Sequence, residues 1–262
     1  MSKTLHYPSP AAVMWSVIVA VLLRETKTRF GRTRFGYLWA FIEPSVYVGL
    51  FIFIRHQLQT VTPFGENLAL FFLTGLLFFR VFSSISTRVL SAVTANRALL
   101  AYPPVKPLDV ILARVLLETL TMLTVFFIFM AFLAMTIDRK LIFHMESFAA
   151  AITCLVLLST AFGVFNAVFS VIMPSWERIW TMLRLPILLL SSVFYVPTSL
   201  PPLGQSIISW NPLLHCIEWL RTSTYLTYDP MLSRSYVIGF GLTLLALGLL
   251  LERFTRKKLL ES

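Results

Sequence analysis

Cysteine is nearly missing from this chain: Cys154 lies inside an apolar run and Cys216 far downstream, and there are no others. Two such residues do not make a disulfide framework or a thiolate metal site, and they read as packing filler. Histidine is scattered as His6, His56, His144 and His215, with no H-E-x-x-H pattern and no carboxylate at ligand spacing, which argues against a metal centre. A phosphate-binding G-x-x-x-x-G-K-[ST] loop is also absent. Gly31 and Gly36 have the opening spacing, but Tyr37 and Leu38 stand where Lys and Ser or Thr are required. The chain is therefore expected to bind no ATP by that route, to hold no cofactor or metal, and not to be an enzyme. Charge is scarce as well, at 13% of the 262 residues against 57% hydrophobic, where soluble domains carry roughly 25% charged residues. No secretory leader is expected, because the positive charges follow the apolar stretch 11–23 and no small-residue cleavage site appears.

What fills the chain instead is apolar sequence. Runs of about 20 residues, the length that crosses a bilayer as helix, fall at 37–54, 68–87, 108–137, 148–173, 179–196 and 236–251. The third is long enough to tilt or emerge. The stretch 11–23 is too short to span and runs into Arg24, Lys27, Arg29, Arg32 and Arg34, which fits a helix lying in the headgroup layer with a basic tail. The fold expected is all-α and integral to the membrane: an interfacial helix and basic elbow (1–35), a six-span domain (36–255) and a short tail (256–262). The net charge of +10 would suggest nucleic acid in a soluble protein, but here it records topology. The basic elbow, Lys3, Arg88, Arg97, Lys106, Arg178 and the cluster Arg253, Arg256, Lys257, Lys258 fall on one side. The other side holds only Arg55, Arg139, Lys140, Arg221 and Arg234. The positive-inside rule then puts both termini in the cytoplasm, and nucleic acid is not an expected partner.

Charges inside spans cost about 2.5–3.5 kcal/mol each on the insertion scale, so each needs an account. Arg114 and Glu118, four apart on one face, are expected to pair. Glu43 precedes Pro44, which fits helix packing and a hinge equally. Arg80 and Arg184 have no acid within four positions; they snorkel, pair with another helix, or line a wet pathway, where guanidinium groups would suit an anionic polymer. Trp176 and Trp180, also four apart, could stack on sugar faces or form an aromatic belt. On the cytoplasmic side, Asn96-Arg97-Ala98-Leu99-Leu100-Ala101-Tyr102-Pro103-Pro104-Val105-Lys106-Pro107 is a helix-capable piece closed by a rigid proline segment, suited to docking a soluble partner. On the outer side, Pro197, Pro201, Pro202 and Asn211-Pro212 break the chain into half-helices too short to span, the pattern of a gate or re-entrant cap.

The stretch from Ile187 through Pro197, Pro201-Pro202 and Asn211-Pro212 to Arg221 resembles the signature of type-2 ABC transporter permeases. The runs Leu23-Arg24-Glu25-Thr26-Lys27-Thr28-Arg29-Phe30-Gly31, Gly36-Tyr37-Leu38-Trp39-Ala40, Glu43-Pro44-Ser45, Asn96-Arg97 and Pro104-Val105-Lys106-Pro107 are similar to Gram-negative capsular-polysaccharide export permeases of the group 2 type. The resemblance implies a half-transporter in the bacterial inner membrane, working as a homodimer with a separate ATPase dimer that supplies ATP and Mg. It further implies a periplasmic adaptor and an outer-membrane channel. By position, Asn96, Arg97, Tyr102, Pro104 and Lys106, with Arg24 and Arg29, would couple to the ATPase. Arg80, Trp176, Trp180 and Arg184 would line the polysaccharide pathway, and Pro197, Pro201, Asn211 and Pro212 would form the outer gate.

In that reading, ATPase closure pushes on the coupling segment and interfacial helix, the two copies rock, and repeated cycles ratchet the polymer outward. Export of O-antigen, teichoic acid, a small lipid or a drug shares the general plan. A membrane enzyme on lipid-linked sugars would display a carboxylate cluster or metal site, and a passive channel would conduct without an ATPase. The topology is directly checkable: a cysteine introduced at Asn67 should react with an impermeant maleimide from outside, and one at Lys257 only from inside. A swapped pattern would reverse the orientation.

Overall fold

In the computed structural model, residues 9–30, 36–57, 62–65, 67–136 and 141–261 are described, and every regular element among them is helical. The order is α1 (Pro10–Phe30), α2 (Gly36–Gln57), α3 (Leu68–Leu90), α4 (Pro107–Thr136), α5 (Met145–Ile172), α6 (Trp176–Leu189), α7 (Pro202–Ile208), α8 (Pro212–Thr224) and α9 (Arg234–Glu261). Among the described residues, four stretches are long and apolar enough to cross a membrane: Leu68–Leu90, Pro107–Thr136, Met145–Ile172 and Arg234–Arg256. The shortest has 23 residues, about 34 Å of helix against a hydrocarbon core of about 30 Å.

Helix α5 is the central post, with α3, α8 and α9 packed along it. Small residues permit the close approach that packing within lipid relies on. A Cβ added at Gly248 of α9 would come within 3.1 Å of the Phe165 backbone nitrogen. Cys154 of α5 and Cys216 of α8, distant in sequence, meet in this packing as free, buried thiols.

One expectation changes at the N-terminal end. Helix α1 does not stop at residue 23; it continues through Arg24, Lys27 and Arg29 to Phe30, because Arg, Glu and Lys are good helix formers and the first breaker is Gly31. The elbow residues Arg32 and Arg34 lie outside the described residues, as do Lys3, Arg139 and Lys140. One face of α1 buries Ile18 and Val21 against Ala113 of α4, while Trp15 and Leu23 are exposed.

The expected fifth span also differs. Helix α6 ends at Leu189 after 14 residues, about 21 Å and too short to cross by itself. Beyond it the chain turns, with Ser192 in the left-handed region at φ 57°. Peptide groups freed in this way need partners where water is excluded. Arg221 supplies them. It is fully buried on α8, with Nη2 donating to the Val193 carbonyl and Nη1 to the Tyr195 carbonyl, both at 3.4 Å. It was expected in an outer loop, but its charge is taken up by Glu218 one turn earlier, 3.4 Å away.

Glu218, equally buried, accepts hydrogen bonds from the Tyr228 hydroxyl at 2.8 Å, the Ser192 hydroxyl at 3.1 Å and the Met231 amide at 3.2 Å. Burial pushes the Tyr228 phenol above its ordinary range, so it remains a donor. The guanidinium lies 4.0 Å from the Phe71 ring centroid. It also passes Gly75, in a π-helical turn of α3 at residues Leu73–Leu77, where an added Cβ would meet both Arg221 Nη2 and the Val193 carbonyl at 3.1 Å. One ion pair thus joins α3, the segment after α6, α8 and the loop leading to α9.

The prolines between α6 and α8 read as helix starts. Asn211 caps α8, its side chain accepting from the Leu213 amide at 3.0 Å and donating to Ser191 Oγ at 2.9 Å, and Pro212 occupies the first helical position. Pro197 is buried at the start of a 3-10 turn, and Pro201 is exposed just before α7. With seven and 13 residues, α7 and α8 are the short pieces expected.

Removing one member of a buried ion pair costs about 3–5 kcal/mol. Arg221→Met should therefore lower the thermal aggregation temperature of the detergent-purified protein. Arg221→Met with Glu218→Gln should recover much of the loss. Fluorescence-detected size exclusion after heating measures both, and an unaltered single variant would show that the pair does not hold this region.

Candidate coupling and transport sites

After α3 the connection to α4 makes two one-turn helices, Ala92–Ala95 and Arg97–Leu100. The break falls at Asn96, whose amide nitrogen donates back to the Ala92 carbonyl at 3.0 Å instead of leaving that carbonyl to the helix ladder. The following helix is fixed at Lys106, whose amide donates to Asp109 Oδ2 at 3.0 Å, half of a capping box. Between these anchors, Arg97, Tyr102, Pro104 and Lys106 are all exposed, and together they present an aromatic ring, two cations and a stiff proline edge.

Asn96 does not belong to that surface. It is buried, donates to Glu25 Oε1, and accepts from Arg24 Nη1 at 3.2 Å. Its assignment as a contact residue is corrected to an anchor. Arg24 itself is exposed, and Arg29 lies in the last turn of α1. The expected Arg114–Glu118 pair is replaced by two cross-helix pairs: Arg114 reaches Glu25 of α1 at 2.8 Å, and Glu118 takes Arg88 of α3 at 3.5 Å together with Ser84 Oγ. Partners on other helices outcompete the i,i+4 option because each packed interface would otherwise bury an unpaired charge.

Higher in the bundle, Arg80, Ser84, Thr87, Arg88 and Ser91 share one face of α3 and keep partial or full exposure, while Val81, Phe82, Ile85 and Val89 face the core. Arg80 stands 5.7 Å over the Tyr47 ring of α2. Arg184 Nε donates to Ser83 Oγ at 2.9 Å. Trp176 is half-buried, donating to Asn166 Oδ1 at 3.0 Å and packing edge-on to Phe169. Trp180 departs from expectation. It is 3% exposed, packed between Phe82 and Phe162, with Nε1 donating to Thr87 Oγ1 at 3.3 Å. Its ring faces are spent on packing, so it does not line a pathway in this conformation.

Two features escaped the sequence reading. The i,i+4 spacing of Arg80, Ser84 and Arg88 was a readable signal. Glu25 gave a weaker one, as the only acid in the basic stretch 24–34. His215 bonds the Ser209 carbonyl and the Ser233 amide as a buried structural residue, and no group of three metal-ligating side chains occurs among the described residues.

The chain is similar in sequence to known proteins. The ABC-2 type transporter family matches residues 16–225, from α1 to just beyond α8. Polysialic acid transport protein KpsM of Escherichia coli is 34% identical over 246 residues, covering 94% of this chain and 95% of KpsM. Capsule polysaccharide export inner-membrane protein BexB of Haemophilus influenzae is 32% identical over 252 residues, covering 92% of each. Its counterpart CtrC of Neisseria meningitidis serogroup B is 28% identical over 271 residues, covering 97% of this chain and 98% of CtrC. A family match over most of the chain, joined to relatives that align nearly end to end, means that the chain belongs to the ABC-2 type transporter family.

Proposed function

We propose that this chain is the permease subunit of an ATP-driven exporter that moves an acidic capsular polysaccharide across the bacterial inner membrane. The observation that carries this reading is the nearly end-to-end similarity to KpsM and BexB, whose names describe polysialic acid transport and capsule polysaccharide export. In the full assembly, two copies of the chain form the path. A separate ATPase dimer, holding ATP and Mg, docks beneath them, and a periplasmic adaptor and outer-membrane channel receive the polymer.

Six crossings are assigned, to α2, α3, α4, α5, α6 with the segment after it, and α9, with both termini cytoplasmic and α7 and α8 re-entrant from outside. The exposed Arg97, Tyr102, Pro104 and Lys106, flanked by Arg24 and Arg29, form the ATPase contact. Arg80, Arg184, Trp176 and the polar face of α3 line the path, where a partly exposed polar stripe on a spanning helix favours a wet corridor over lipid. Pro197, Pro201, Asn211 and Pro212 stiffen the outer cap.

Tyr102→Ala with Lys106→Glu should weaken ATPase co-purification about tenfold or more, as expected for removing an interface hot spot, while membrane insertion is retained; unchanged association would refute the docking assignment. Separately, Arg184→Ala or Trp176→Ala should reduce surface polymer with the complex intact, and sugar analysis of co-purified glycan identifies the cargo. Normal export in both variants would move the path elsewhere.

A further inference from the structure

We infer that Glu25 is a positioning residue that clasps α1, the cytoplasmic connection and α4 into one moving body, so that a push on the connection reaches both helices together. The inference rests on the reading that Arg97–Lys106 is where the ATPase acts. Glu25 is 6% exposed, and its two oxygens are divided between elements far apart in sequence. Oε1 accepts from Asn96 of the connection, and Oε2 pairs with Arg114 of α4 at 2.8 Å. Arg24, next to Glu25 on α1, returns to Asn96 Oδ1 at 3.2 Å, so the Asn96 amide is held from both sides by adjacent residues of α1.

Apolar packing follows the same three-way pattern. Ile18 and Val21 of α1 and Ala113 of α4 form a cluster of their own, joined by Leu99 of the connection and by Leu112 and Leu116 of α4. Leu100, the next residue, points instead into the main core with Val110 and Ile111. The connection is thus pinned at adjacent positions to the α1–α4 unit and to the bundle, and Asn96 one turn earlier adds the polar fastening. A buried carboxylate held by one hydrogen bond and one ion pair resists shear better than apolar contact alone, because sliding strands a charge. A force applied at Tyr102 is therefore passed to α1 and α4 rather than absorbed by flexing of the loop.

The test uses the full chain co-expressed with its ATPase, with the buried cysteines replaced (Cys154→Ala, Cys216→Ala). In that background, Glu25→Cys with Asn96→Cys removes the clasp and allows it to be rebuilt with a short membrane-permeant bis-maleimide. Before cross-linking, surface polymer should fall by about tenfold or more, within the usual range of coupling free energies, while the ATPase still co-purifies and ATP turnover stays within about twofold. Cross-linking should restore at least half of the export, which a purely local packing role would not produce. Glu25→Gln, which keeps the shape and loses the charge, serves if the double variant accumulates poorly, and should lower polymer exported per ATP. Wild-type export before cross-linking, or in Glu25→Gln, overturns the clasp. So does failure of the cross-link to restore export while ATP turnover persists. If the ATPase does not co-purify even with the parent chain, the docking reading fails first and the clasp falls with it.

Discussion

Every buried backbone group that leaves a helix must find a partner, and after α6 the Arg221–Glu218 pair meets that demand. The segment after α6 is neither helix nor strand, and its carbonyls at Val193 and Tyr195 are taken by a guanidinium with no solvent exposure. The carboxylate that neutralises Arg221 also gathers Ser192, Tyr228 and the Met231 amide. Without this arrangement the α7–α8 cap has no fixed base, and Gly75 of α3 has no reason to be bare of a side chain. The ion pair is a weak source of net stability, since desolvation offsets most of its attraction. Its value is geometric, in permitting a break in buried backbone.

The end of the bundle that holds α1 and the α3–α4 connection repeats this logic. Glu25 joins Asn96 by a hydrogen bond and Arg114 by an ion pair across three elements, and Glu118 of α4 takes Arg88 and Ser84 of α3 nearby. Each carboxylate is buried and each cation comes from a different helix, so the charges fix relative positions rather than solvate a surface. What is left exposed between them, from Arg97 to Lys106, is a rigid edge on a fastened base. Such an edge suits transmission of force better than a free loop would.

Between these two ends, α3 leaves Arg80, Ser84, Thr87 and Arg88 at least partly exposed on one face, while Ser83 and Ser86 are buried among its apolar residues. Asn166 of α5 links this helix to α6 by bonding the Ser86 carbonyl and Trp176 together. That arrangement explains why Trp176 and Trp180, equivalent by spacing, have different fates. One turn along α6 moves the second ring into the cleft between Phe82 and Phe162, where stacking on a sugar is closed to it.

The amino-acid order alone decided the membrane class, the main spanning segments, the proline-broken region after α6 and the proline-closed loop after α3. These depend on run length, on proline and on capping side chains, all local properties that a linear string carries. The family signature was legible for the same reason, being a set of short runs. Tertiary structure decided which charges pair, that α6 ends at Leu189, that Asn96 anchors rather than docks, and that Arg221 is buried rather than in an outer loop. Pairing across helices depends on distances between residues 26, 30 or 89 positions apart, which no local pattern encodes. An Arg written beside apolar neighbours has the same sequence context whether it snorkels, lines a path or meets a buried carboxylate, and only packing distinguishes these, through the cost of leaving a charge alone in a low dielectric.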